Sequence, residues 1–253
     1  MNSFATQDSV TIPSHANGPI GSGHGGVSAG VFASAAGLSS AKVRFHAPIP
    51  LATPLGIVPD PRGATITCNE ETIATVQPLS ASLRVGQFGR LRAGDVASAE
   101  HRFLDHHEGE HIAPTCFACG NQRTDSNGLN LRPGTVQDTG LSATTWRPQS
   151  LGDVPDWMIW AALDCPSGFP VLAKLDRGLA AVTGELSVEI LHRVPGNGDY
   201  QLIGRRTGRD GRKFATEAAL IDGFGRALAV ATATWIVVPS ARLRPQDELA
   251  TAV

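Results

Sequence analysis

Cysteine is scarce in this chain, with four residues in 253. That is too few for a disulfide framework, and a reducing compartment would keep them as thiols. Long apolar runs are missing too. None reaches the roughly 18 residues needed to cross a bilayer. The start, MNSFATQDSV, lacks the basic stretch and the apolar core of a signal peptide. The expectation is a cytoplasmic protein with no membrane partner. Nor is there an excess of positive charge. A net charge of −2 argues against non-specific nucleic-acid binding, which needs a basic face to meet phosphates. What the chain does have is apolar content. Hydrophobic residues make up 42%, enough to bury a core, and the length suits two domains of ordinary size.

The order of segments suggests two similar halves. A strand candidate at Val10 to Ile12 precedes the glycine-rich loop ANGPIGSGHGG (16–26). Such a run favours positive φ and close backbone approach over regular structure. It feeds VSAGVFASAAG, a helix of small residues that should lie deeply buried against another backbone. Strand candidates follow at 41–49, 63–70 and 72–78. In the second half, 128–136 and 140–148 alternate like strands. Residues 154–168 form a helix, with Trp157, Trp160, Ala161 and Asp164 on one face. Asp153 or Asp156 is placed to cap its start, and Pro166 with Gly168 to stop it. Strands at 181–194, 199–208, 213–222 and 227–238 complete the half, joined by the Asp-Gly turns RDGR and DGFG.

The halves share weak self-similarity. VRFHAPIP (43–50) matches VEILHRVP (188–195), each closed by proline. A helix followed by antiparallel strands has a natural packing, in which the sheet wraps the helix and two sheets join edge to edge. The expected boundaries are 1–85 for the first domain, 114–240 for the second, and 241–253 for a tail. Residues 86–113 are polar and poor in β-branched residues. They read as a linker, with one helical turn near Ala97 to Phe103.

Four segments carry a family resemblance. GHGGVSAGVFASAAG resembles the loop and central helix of hot-dog thioesterases. CFACGNQRTDSNGLNLRPG, WAALDCPSG and RDGRKFATEAALIDGFGRALAVATATW resemble the opening strand, central helix and closing strands of the phenylacetate-type branch. The resemblance covers about residues 8–80 and 114–239, and is stronger in the second half. It implies an α+β double hot-dog, each half an antiparallel sheet around a central helix. It also implies an acyl-CoA thioesterase, or a relative that binds acyl-CoA or lipid without hydrolysing it.

His24, Gly25 and Gly26 open the first helix, the glycines as substrate-binding candidates and His24 as a catalytic one that orients substrate or water. The free N–H groups of a helix N-terminus can hold the negative charge that a thioester carbonyl acquires on attack. A chance glycine loop is the plainer reading. Asp164 sits in an apolar helix, where a carboxylate is costly unless paired or used. The resemblance implies a general base or nucleophile; a structural aspartate is the alternative. The first helix has Ala33 and Ser34 where an acid would stand, and the second has Val154-Pro155-Asp156 in place of His-Gly-Gly. Each half keeps what the other lacks, which points to one composite site, or to lost activity.

Arg206 and Arg209 lie among five cations on one hairpin and suit CoA phosphates, although a solvated tip explains them equally. Trp157 and Ser167 are candidate pocket residues that also fit as core and helix end. Cys116-x-x-Cys119, with His106, His107, Glu108, Glu110 and His111 upstream, makes zinc conceivable; small buried hydrophobes is the plainer reading. Thioester hydrolysis requires no metal or redox cofactor, and none is expected. The sequence has no Asp-x-x-x-x-His pair in a hydratase-like loop. A homodimer of such chains is the expected assembly.

Overall fold

The computed structural model describes residues 8–107, 112–123 and 127–243, without the side chains of 105–107. In chain order the elements are β1 (Ser9–Thr11), α1 (Gly25–Ala35), β2 (Ala41–Phe45), β3 (Pro54–Asp60), β4 (Gly63–Cys68), β5 (Glu71–Pro78) and α2 (Ala93–His107). Then follow β6 (Gly134–Thr135), β7 (Leu141–Trp146), α3 (Asp156–Leu172), β8 (Leu179–Ile190), β9 (Tyr200–Asp210), β10 (Lys213–Ile221) and β11 (Ala227–Pro239). The eleven strands form one sheet in the order β1-β3-β4-β5-β2-β8-β11-β10-β9-β7-β6, and the fold is α+β.

The two halves of the chain meet at β2 and β8, the strands whose sequences match. The match sets Val43 on Val188 and Ala41 on Leu186. It therefore turns the pair Val43–Leu186 into the pair Val188–Ala41, and both pairs are made. Pairing these two strands leaves neither half with a bare inner edge.

Helices α1 and α3 cross on one face of this sheet, α1 against β2, β5 and β8, and α3 against β6 to β11. Small residues let them approach. A β-carbon on Gly26 would stand 2.6 Å from the Trp160 carbonyl oxygen, and one on Gly30 would stand 2.6 Å from the Trp157 Cα. Gly26 and Gly30, one turn apart, are therefore the contact face of α1. The helix starts at Gly25, two residues earlier than expected, because the His24 ring caps it: Nδ1 accepts the Val27 N–H at 3.2 Å.

Helix α3 corrects two expectations. It runs through Pro166 and Pro170 to Leu172. Pro170 lacks the N–H that would bond the Pro166 carbonyl, and the Ser142 hydroxyl donates to that carbonyl instead, at 2.8 Å. Strand β9 comes close enough that Gly204 has no room for a side chain beside Pro166. At the other end neither aspartate caps. The N-cap is Pro155 with no side-chain bond, Asp156 lies in the first turn, and Asp153 pairs with Arg193.

Residues 128–136 yield a strand only at Gly134–Thr135. Strand β3 lies outside the strand candidates and contains Pro54 and Pro59, residues that sheets admit mainly at edges and ends. Its Ile57 N–H points to Asp8, on the β1 side, so Pro59 shares that orientation. Strand β1 pairs only Pro54–Gly56, and the missing N–H of Pro59 therefore costs no ladder bond.

The stretch expected to be a linker is packed structure. Leu83, Val85, Phe88 and Leu91 lie over Ile203, Ala219, Ile221 and Val230, on the opposite side of the sheet from α3. Side chains of the strands hold this strap. Glu189 accepts the Leu83 N–H, Glu217 the Gly86 N–H, and Gln201 the Leu91 N–H. Helix α2, fifteen residues rather than one turn, extends the cover. Its Glu100 accepts the Thr145 N–H at 2.6 Å, and Phe103 meets Phe169 of α3. The second half's sheet is thus covered on this outer face around Ile203, Ala219, Ile221 and Val230 as well as on the face that holds α3.

Candidate active site

Asp164 lies at the middle of α3, where α1 crosses it, and is 2% exposed. Its carboxylate is held on both oxygens. The Gly26 N–H donates to Oδ2 at 2.8 Å, and the Thr183 hydroxyl donates to Oδ1 at 2.8 Å. His24 Nε2 stands 3.5 Å from Oδ2. Burial pushes the Asp164 carboxyl above the usual range, although His24, Thr183 and the Gly26 amide pull it back. Beside the carboxylate, Gly25 and Thr183 are only half-buried. A β-carbon on Gly25 would meet Thr183 Oγ1 at 2.9 Å and Asp164 Oδ2 at 3.0 Å.

The structure thus brings His24, Gly25, Gly26 and Asp164 together, across a sequence gap of more than 130 residues. No space separates the acid from the Gly26 amide, which binds the carboxylate itself. The Gly25 amide, at the first position of the helix, has no acceptor among the described residues. The arrangement supplies a carboxylate fixed by two donors, next to one helix-N-terminal N–H.

Thr183 went unnoticed in the sequence. Its signal is Gly184, an isolated glycine inside a strand. Between Thr183 and Glu185 the register of β8 against β11 slips, so that Gly184 is a bulge. A bulge re-aims its neighbour's side chain, and here that side chain is the Thr183 hydroxyl.

The other candidates lie elsewhere. Ser167 is fully buried, donating to the Asp164 carbonyl at 2.7 Å and accepting from Trp235 Nε1 at 3.0 Å. Trp157 is half-buried on α3 and packs on Phe117, with ring centroids 6.0 Å apart. Arg206 and Arg209 are exposed on the β9–β10 hairpin, both over the Phe214 ring. A groove of about 510 Å³ opens between the 82–89 strap and β8 and β11, and none of the candidate residues lines it.

Three of the cysteines gather, the Cys116-x-x-Cys119 pair of the sequence being joined by Cys165. Cys116, Cys119 and Cys165 are all buried, and the His24 ring lies against Cys165, Nε2 to Sγ 3.4 Å. His111 and the side chains of His106 and His107 lie outside the described residues.

No protein-family model matches the sequence, and no curated protein matches it. Solved structures do resemble it. The tesB protein of Mycobacterium avium subs paratuberculosis is 12% identical and aligns over 93% of this chain and 95% of its own, with a TM-score of 0.58. A conserved protein of unknown function with hot dog fold from Alicyclobacillus acidocaldarius is 17% identical, over 91% of this chain and 92% of its own, with a TM-score of 0.57. Both likenesses run nearly end to end, and the chain has the hot-dog fold. Among the described residues no helix is long and apolar enough to cross a membrane.

Proposed function

We propose that the protein is an acyl-CoA thioesterase built as two fused hot-dog halves, residues 1–85 and 114–240, with 86–113 between them and 241–253 as a tail. The observation that carries this reading is the Asp164 carboxylate, buried yet fixed by the Gly26 amide and the Thr183 hydroxyl beside the open Gly25 amide. Such orientation is what a general base needs. The fold shared with a tesB protein supports the reading by analogy.

In the proposed reaction the thioester carbonyl lies against the Gly25 N–H. Asp164 takes a proton from water as the water oxygen bonds to the carbonyl carbon. The oxyanion rests on Gly25, aided by the positive end of α1. The carbon–sulphur bond then breaks, and the departing CoA thiolate takes the proton from Asp164. His24 serves by position, standing at the N-cap of the helix that carries Gly25 and Gly26, with its ring 3.5 Å from Asp164 Oδ2. Trp157 and Ser167 support the helix crossing, and Arg206 and Arg209 are the cations offered to the CoA phosphates. Two such chains form the proposed homodimer.

The test is thiol release from a panel of acyl-CoA thioesters. Asp164→Asn preserves shape and should lower turnover by about 10²- to 10⁴-fold. A folded protein that releases no thiol from any member of the panel would overturn the reading. A second reading, acyl-CoA or lipid binding without hydrolysis, is favoured by the near-complete burial of Asp164 and by its occupation of the Gly26 amide. Saturable acyl-CoA binding with no turnover selects it.

A further inference from the structure

We propose that Cys116, Cys119, Cys165 and His24 form a tetrahedral structural site for zinc. This proposal does not depend on the thioesterase reading. The sulphur atoms lie 3.7 Å (Cys116–Cys119), 3.2 Å (Cys119–Cys165) and 3.9 Å (Cys116–Cys165) apart. His24 Nε2 is 3.4 Å from the Cys165 sulphur. The ligand atoms of His24, Cys116 and Cys165 all fall within 4.8 Å of one another.

Three of those distances, Cys116–Cys119, Cys116–Cys165 and His24–Cys165, lie near the edges of a coordination tetrahedron. Cys119–Cys165 is shorter, and Cys119 stands outside the 4.8 Å set with His24, so its thiol has to swing toward the centre on binding. Zinc–sulphur bonds of about 2.3 Å and zinc–nitrogen bonds of about 2.0 Å place sulphurs about 3.8 Å apart and nitrogen about 3.5 Å from sulphur. Disulfides do not fit, because every sulphur pair is far outside the bond length of about 2.05 Å. Packing of small hydrophobes explains why the cysteines are buried. It does not explain why three sulphurs gather within 3.9 Å of one another with an imidazole nitrogen set against one of them.

The donors come from three segments. Cys116 and Cys119 share a tight turn closed by the Gly120 N–H on the Cys116 carbonyl. A β-carbon on Gly120 would meet the Cys116 nitrogen at 2.5 Å, so the turn requires glycine there. Cys165 follows Asp164 on α3, and His24 is the residue that caps α1. The turn also docks on the loop before α1, through the Phe117 N–H on the Asn17 carbonyl at 2.7 Å. An ion at the centre ties the turn to both helices.

Binding releases three thiol protons to solvent and leaves thiolates on the metal. Arg123 lies over the Phe117 ring, 5.5 Å from its centroid, and brings positive charge to the negative site. Ligation through Nε2 leaves the imidazole proton on Nδ1 and gives up the contact with the Val27 N–H. A helix cap is a smaller stake than a metal bond. Four protein ligands close the coordination sphere, so the role is structural rather than catalytic.

The test uses the full chain, purified without a metal-binding tag and without chelator. Elemental analysis should find about one zinc per chain, falling at least about tenfold in Cys119→Ser and Cys165→Ser. Cys68→Ser, on β4 and outside the cluster, should retain the metal. Cobalt(II) added to metal-free wild-type protein should give thiolate-to-cobalt charge-transfer absorption. The proposal is overturned if wild-type protein refilled with zinc chloride holds less than about 0.1 zinc per chain and cobalt(II) gives no such absorption. None of these readouts involves hydrolysis, so this outcome is separable from the failure of the thioesterase reading.

Discussion

The crossing of α1 on α3 allows packing and site geometry to be separated with two substitutions. In Gly26→Ala and Gly30→Ala the new methyl meets backbone at 2.6 Å, where 3.4 Å is the start of ordinary contact. Backbone cannot rotate away, so the helices must part by about 0.8 Å. Overpacking of this kind costs about 1–3 kcal/mol. Replacing glycine in a helix interior recovers up to about 1 kcal/mol of propensity. With that recovery the net expectation is a loss of up to about 2 kcal/mol in each variant, or up to roughly 8 °C in the thermal midpoint for a chain of this size. The two differ in chemistry. Gly26 carries the N–H on Asp164 and Gly30 does not. Thiol release, measured well below either midpoint, should drop at least about tenfold more in Gly26→Ala than in Gly30→Ala, since a misplacement of about 1 Å costs up to about 10²-fold. Equal activity losses, or a raised midpoint in either variant, would refute the argument.

Three further outcomes follow from particular contacts. Burial alone would raise the Asp222 carboxyl, but the Arg226 and Phe224 amides and the Arg226 guanidinium outweigh it and hold it below the usual range. A depressed folded-state pKa contributes stability that is complete above the unfolded value, about 3.9, and is lost as pH falls through the folded one. Denaturant titrations from pH 6 downward should show that loss in the wild type and a flatter profile in Asp222→Asn. Ser142→Ala leaves the Pro166 carbonyl without its donor and should cost about 1–3 kcal/mol in urea unfolding. Glu217→Ala removes the acceptor shared by the Gly86 N–H and Arg205, and limited proteolysis should then cut the 83–91 strap faster, with the sheet intact.

Much of the architecture was legible because its causes are local. Alternating apolar residues and Asp-Gly turns gave away β7 to β11, and the small residues of α1 announced a close helix contact. The weak repeat identified β2 and β8, the pair at the centre of the sheet. Misreadings arose where a local rule met a tertiary exception. Pro166 does not stop α3 because Ser142, on another strand, takes over for the backbone. Pro59 is tolerated in β3 because its side faces past the end of β1. The polar stretch around α2 looked like a linker because its few apolar residues matter only once an outer sheet face needs covering.

The candidate site divides in the same way. An acid inside an apolar helix and glycines at a helix start are readable one segment at a time, since each is anomalous against its own neighbours. Their partners are not. Thr183 is an ordinary strand threonine until a bulge at Gly184 turns it toward Asp164. Cys165 looked like one more residue of α3, and His24 like a catalytic candidate at the start of α1, until the crossing of two helices brought both to the Cys-x-x-Cys turn. Sequence alone determined which residues are costly to bury, because that cost belongs to the side chain. Which of them meet was decided by the tertiary structure, because distance between segments far apart in the chain is set by packing.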